Sequence, residues 1–262
     1  MTRKGATTHM LSAILVAVTA AGTALAQGQP DSWKFGITIP VIIMGVDGDV
    51  TVRGVTQEVS LNFSDLKDHL EGYFSAGFDG VKNKVGFYSL ISYYKLGEDG
   101  TTRLGIQTDA RLKFTIFDAG GSYRLVMTSG ARPLIVEGIA GIRYWSTKTE
   151  LTATGPGGSI LADGTHKRNL VDPIIGLRGV KILHPKWHVD FQGDIGGFGI
   201  SDNSSDFDWS ASGLVSYEVG RHFSVGGGYK AFALDKSRGA AADENGLDIV
   251  LHGVLIAARF KF

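Results

Sequence analysis

From about residue 33 to Phe262, apolar and polar side chains trade places every second residue, in segment after segment. Period two is the signature of a β-strand with one apolar and one polar face. In Trp187 to Ile200, Trp187, Val189, Phe191 and Ile195 oppose His188, Asp190, Gln192 and Asp194. In Leu104 to Ile116, Ile106, Ala110, Leu112, Phe114 and Ile116 oppose Gln107, Asp109, Arg111, Lys113 and Thr115. Asp208 to Val219 and Val136 to Thr147 repeat the pattern. The alternation predicts about ten strands, near 33–43, 71–81, 86–96, 104–127, 133–148, 169–182, 187–200, 207–219, 223–235 and 246–262. Beyond the N-terminal segment no run of 18 uncharged apolar residues occurs, so a spanning helix is not expected there.

The connections alternate in length. Short turns are expected at 82–84, 128–131, 183–186 and 220–222, and longer loops at 44–70, 97–103, 149–168, 201–206 and 236–245. Short turns at one end and long loops at the other is the plan of an outer-membrane barrel. Inside lipid every backbone N–H and C=O needs an internal partner, so strands must close on themselves. The expected fold is therefore all-β: a closed antiparallel up-and-down transmembrane barrel of about ten strands, with eight or twelve as alternatives. A soluble periplasmic barrel of lipocalin type stays open, because alternation does not say which face is wet. Trp33, Tyr93, Tyr94, Tyr144, Trp145, Trp187, Trp209, Phe260 and Phe262 are expected in interfacial girdles.

The first 26 residues read as a secretory signal peptide. Arg3 and Lys4 lead, Met10 to Ala21 is mostly apolar, and Ala24-Leu25-Ala26 supplies the small residues before a cut at Gln27. Residues 27–262 are then the barrel domain, exported to the outer membrane of a Gram-negative envelope. At the other end Val254, Ile256, Ala258, Phe260 and Phe262 form an apolar alternate row with a terminal aromatic. Such a row resembles the C-terminal signal that barrel-assembly machinery reads. That machinery and the outer-membrane lipid are the expected partners.

Two stretches carry a resemblance. Val171-Asp172-Pro173-Ile174-Ile175-Gly176-Leu177-Arg178 is followed by Gly193-Asp194-Ile195-Gly196-Gly197-Phe198-Gly199, and later by Gly226-Gly227-Gly228-Tyr229-Lys230. The order resembles a group of small bacterial outer-membrane β-barrel proteins with a D-P-x-x-G-x-R strand and a G-D-x-G-G-F-G strand. The resemblance covers about 170–262 and implies a barrel in the envelope, without an activity.

Composition removes several functions. With Cys 0 there is no disulfide framework and no cysteine-held metal. Lys+Arg 26 against Asp+Glu 26 gives no field for nucleic acid. The glycines at 193–199 lie within strand pattern with no helix to follow, so they make no phosphate loop. His184 and His188 stand ~13 Å apart on a strand, too far for one metal. Asp47-Gly48-Asp49 lacks the intermediate oxygen ligands of a calcium loop. Neither a cofactor nor a metal site is expected. His188, Asp190, Asp194, Ser210 and Ser212 share presumed inward faces, which leaves an envelope hydrolase as one alternative. Ser64 and the acids after it suggest a short helix in the first long loop.

The strongest constellation is charged. Asp109, Arg111, Lys113, Glu137, Arg143, Asp172, Arg178, Asp190, Asp194, Glu218, Lys230 and Arg259 are expected to form a lumen network, with Glu71, Asp79 and Lys261 as further candidates. Mixed signs inside a narrow barrel favour cross-lumen ion pairs, and so a plugged, non-enzymatic scaffold acting through its surface loops. A narrow channel lined by the same groups is the alternative. Glycine, 37 of 262 residues, is expected to let the wall curve tightly.

Overall fold

The computed structural model describes residues 32–52, 55–61, 69–101, 107–239 and 245–262. The expected signal peptide and the helix begun by Ser64 lie outside them. The chain forms β1 (Lys34–Val52), β2 (Val55–Leu61), β3 (Leu70–Lys82), β4 (Val85–Thr101), β5 (Gln107–Met127), β6 (Leu134–Thr154), β7 (Ile160–His184), β8 (Trp187–Gly197), β9 (Phe207–Glu218), β10 (Phe223–Arg238) and β11 (Asn245–Lys261). From β3 to β11 neighbours in sequence pair antiparallel, β3 pairs with β1, and β11 pairs with β1 to close the ring. β2 flanks the upper part of β1 and β3 its foot, so the two share one place in a ten-position wall.

Closure explains why the backbone needs no outside partner. Sixteen register pairs zip β1 to β11, from Gly36↔Lys261 to Thr51↔Gly246. Followed from partner to partner around the wall, the register leaves β1 at Lys34 and returns to it at Val46, twelve residues further along. In a ten-stranded barrel that stagger means strands tilted by about 40°.

The short turns stand where expected. Of the longer loops, 201–206 does too, between β8 and β9, whereas strand runs into the others. Of 149–168 only 155–159 is turn, because β6 and β7 stay paired out to Ala153↔Ala162. β1 and β2 fill much of 44–70, β4 runs to Thr101, and β10 and β11 meet at Arg238↔Asn245. Alternation fades in these stretches because both faces leave the lipid, while the backbone ladder continues. The wall thus extends as tall β-hairpins beyond the apolar band.

That band circles the outside. At the short-turn end it starts with exposed Trp33, Val85, Trp187 and Phe262. At the hairpin end it stops near Phe74, Tyr93, Tyr144 and Val171, after which the outward positions turn charged. Contiguous apolar surface on this scale is what lipid covers, not water. Tyr94 and Trp145, expected in the girdle, instead point inward into the core.

Of the C-terminal row, Val254, Ile256, Phe260 and Phe262 are exposed on the outer face. Ala258 shares that row but is fully covered, since its short side chain sits below its neighbours.

Candidate functional site in the lumen

The lumen is filled in layers, and the strand pattern dictates which side chains fill it. At its centre lies Arg143 of β6, 2% exposed. Its Nε donates to Asp118 Oδ1 at 2.8 Å, its Nη1 to Asp208 Oδ1 at 2.7 Å and its Nη2 to Asp194 Oδ1 at 2.9 Å. One planar fork thereby ties β5, β8 and β9 to β6 across the barrel. Ser210 Oγ donates to Asp194 Oδ2 at 2.6 Å and holds that carboxylate in place. Asp172, fully buried, accepts the Ser205 backbone N–H at 2.6 Å.

Below this hub lie three more ionic groups. Arg178 pairs with Glu137 at 2.8 Å and donates to Ser122 Oγ at 3.0 Å. Lys261 Nζ pairs with Glu218 at 2.6 Å, and His188 lies between Glu218 and Asp190. Arg259 is bonded to Asp79.

Above the hub the lumen is apolar. Ile42, Met44, Tyr94, Ile116, Trp145, Leu170, Phe232 and Leu251 pack as one buried cluster. The Trp145 ring centroid lies 5.4 Å from that of Phe114 and 5.7 Å from that of Phe232, both tilted, and the Arg143 guanidinium lies 5.9 Å from it. Lys230 faces the boundary between the two layers, beside a cavity of about 10 Å³ lined by Asp118, Arg143, Trp145 and Phe232, room for about one water.

The expected network is therefore partly assembled. Glu137, Arg143, Asp172, Arg178, Asp190, Asp194, Glu218 and Arg259 all occupy the lumen, with Asp79 and Lys261. Lys230 points inward but makes no ion pair among the described residues. Asp109, Arg111 and Lys113 do not belong to it. On β5 the even positions face inward, so these three stand on the outer face of the hairpin extension. There Arg111 binds Glu71, Asp99 and Asp109, and Lys113 binds Glu150 at 2.7 Å. Hydrogen bonds from Lys113 and Lys148 hold the exposed Glu150 carboxyl down at about 2. Asp118 and Asp208 are hub members that the sequence reading left out of the network. Asp208 already stood on a polar face, and Asp118 continues the row of Leu112, Phe114 and Ile116, which looked purely apolar.

Among the residues once considered for nucleophilic chemistry, Ser210 bonds Asp194 and lies in the hub, away from the His188 group. Ser212 stands on β9 opposite Gln192 and Lys230, and the neighbouring Ser216 Oγ donates to Asp190 at 2.8 Å. No group of three or more His, Asp or Glu able to hold a metal occurs among the described residues.

No protein-family model matches the chain, and neither does any curated protein sequence. Solved structures do resemble it. The outer membrane protease OmpT from Escherichia coli is 10% identical, over 90% of this chain and 99% of that one, with a TM-score of 0.54. Ail, the attachment invasion locus protein of Yersinia pestis, is 11% identical over 88% and 97%, with a TM-score of 0.34. Neisserial surface protein A is 12% identical over 90% and 100%, with a TM-score of 0.24. The closed ring, the lipid-facing belt and the alignment with OmpT agree: the chain has the fold of the bacterial outer-membrane β-barrels.

Proposed function

We propose that the protein is a non-enzymatic outer-membrane barrel with a closed lumen, which holds rigid β-hairpins at the cell surface as an interaction scaffold. The observation that carries this reading is the Arg143 hub lying beneath the Trp145–Phe232 layer, with a cavity of only about 10 Å³ between them. A conducting path would have to pass both. The hairpins are built for display: β6 and β7 form a paired ribbon capped by the tip at 155–159.

Purified protein in a planar bilayer is expected to give no stable conductance steps. The double substitution Trp145→Ala and Phe232→Ala removes the upper layer and is expected to make steps appear. Regular steps from the unmodified protein would overturn the closed-lumen reading in favour of a narrow channel.

The hydrolase reading draws on the similarity to OmpT, an outer membrane protease. Against it stands the burial of His188 and Ser210, at 1% and 4% exposure, which leaves a substrate no access to them. Cleavage of a peptide library by the purified barrel, lost on His188→Gln, would replace the scaffold reading. The exposed row ending in Phe260 and Phe262 is the segment proposed to meet the assembly machinery. Phe260→Ser with Phe262→Ser is expected to lower the amount of inserted barrel, and unchanged insertion would remove that role.

A further inference from the structure

Outside the lumen, the register places four lysines side by side. Lys95 of β4 lies opposite Lys113 of β5, Lys113 opposite Lys148 of β6, and Lys148 opposite Lys167 of β7. Directly opposed residues on antiparallel strands have Cα atoms about 4.5–5.5 Å apart, and like charges so placed repel. All four stand on the outer face, because the inward positions beside them carry Tyr94, Phe114, Trp145 and Leu170. The protein's own carboxylates cover them only in part. Glu71 is shared between Lys95 at 2.7 Å and Arg111 at 2.8 Å. Glu150 is shared between Lys113 and Lys148. Lys167 has no ion pair among the described residues.

Height then points to a ligand. On β4, Lys95 is the next outward residue after Tyr93, where the apolar band stops. Strand tilt makes the row climb by roughly 10 Å from Lys95 to Lys167, from the edge of the hydrocarbon through a headgroup layer of about 5–7 Å and just past it. Apart from Glu71 and Glu150, the acids on the same face are set further out: Asp99 and Asp109 oppose each other two rows above. We propose that Lys95, Lys113, Lys148 and Lys167 form a binding site for the phosphate groups of lipid in the leaflet at the hairpin end. The proposal rests on the membrane-spanning reading and adds a headgroup chemistry and a side of the barrel to it.

The opposite side shows that this is a site, not a general attraction. There Glu58, Asp49, Asp248 and Asp235 form a cross-strand row of acids, all exposed. A second copy could offer that row to the lysines. Both rows climb in the same sense around the barrel, so on two copies facing each other they cross rather than lie alongside. Small mobile anions can meet the whole lysine row; a rigid row of acids meets it at one crossing.

The test uses the whole protein in phosphatidylcholine nanodiscs, with and without phosphatidylglycerol, and measures the lipid retained around the barrel by mass spectrometry. Phosphatidylglycerol is expected to be enriched around the wild type, and less so as salt rises. Lys148→Gln with Lys167→Gln is expected to cut the enrichment by roughly fivefold for each lysine removed. Lys84→Gln with Lys186→Gln, at the short-turn end, is expected to leave it unchanged. A retained lipid with bulk composition, or enrichment that ignores Lys148 and Lys167, or equal loss in the short-turn variant, overturns the site. So does a cross-linked dimer that depends on these lysines without phosphatidylglycerol enrichment, which would assign the row to a second copy. Failure to insert into phosphatidylcholine at all overturns the membrane-spanning reading instead, and is seen separately.

Discussion

Replacing Arg143 with methionine is expected to cost the folded barrel about 3–5 kcal/mol, the usual penalty for leaving buried charge unpaired. The substitution keeps the bulk of the side chain and deletes the fork. Asp118, Asp194 and Asp208 then face one another in the lumen, with Lys230 lining the same small cavity as Asp118. Denaturant titration of the barrel in lipid vesicles, read by the gel shift between folded and unfolded forms, measures the loss. Adding Asp118→Asn and Asp208→Asn to Arg143→Met is expected to recover much of it, since two of the stranded charges are gone. Full stability of the single variant would mean that the hub is a passive filling and would remove the main support for a structural plug.

The second large effect lies at the seam. Gly253 of β11 sits opposite Met44 of β1, and a Cβ built on it would lie 1.8 Å from the carbonyl oxygen of Ile43. No rotamer relieves that contact, because the atom it meets is backbone. Gly253→Val is therefore expected to prevent β1 and β11 from zipping, so that the chain fails to reach the compact form. The expected loss is at or above the ~1–3 kcal/mol of ordinary overpacking. Gly227 of β10 supplies the control: its Cβ would meet nothing within 4 Å, so Gly227→Ala is expected to fold like the wild type. Equal folding yields for the two would show that close strand approach at the seam is not what glycine provides there.

Much of this barrel was legible in the chain. The strands at 187–200 and 207–219 alternate cleanly because they lie wholly in the band, where one face meets lipid and the other the ionic lumen. Their inward rows, His188 to Asp194 and Asp208 to Ser216, are where the sequence placed them. The two stretches that carry the family resemblance also prove to be neighbours: Gly176 pairs with Asp194 and Ile174 with Gly196. A Cβ on Gly176 would lie 2.2 Å from the Gly193 carbonyl oxygen, and Gly197 and Gly199 adopt φ of 82° and 58° in the turn that follows. What failed was β5. Its even row reads Leu112, Phe114, Ile116, and then Asp118 and Ser122. A single face that changes from apolar to polar midway cannot be assigned to lipid or lumen by alternation alone. The sequence reading took the charged odd positions, Asp109, Arg111 and Lys113, as interior, whereas above the band the apolar row is the inner one. The long segments between strands were missed for a related reason: hydrogen bonding along a ladder leaves no trace in side-chain polarity once both faces are wet.

That change of face along β5 also sets a waterline. Below it the outside of the wall is greasy and the inside wet; above it the two exchange roles. Sliding the barrel outward by one pair of residues would expose aromatic rings to water. Sliding it inward would drag Lys95, Lys113 and Glu71 into hydrocarbon. Each direction is uphill, so the protein carries its own draught mark and fixes how far its hairpins stand above the surface. On the scaffold reading proposed above, a partner would meet them at a constant height.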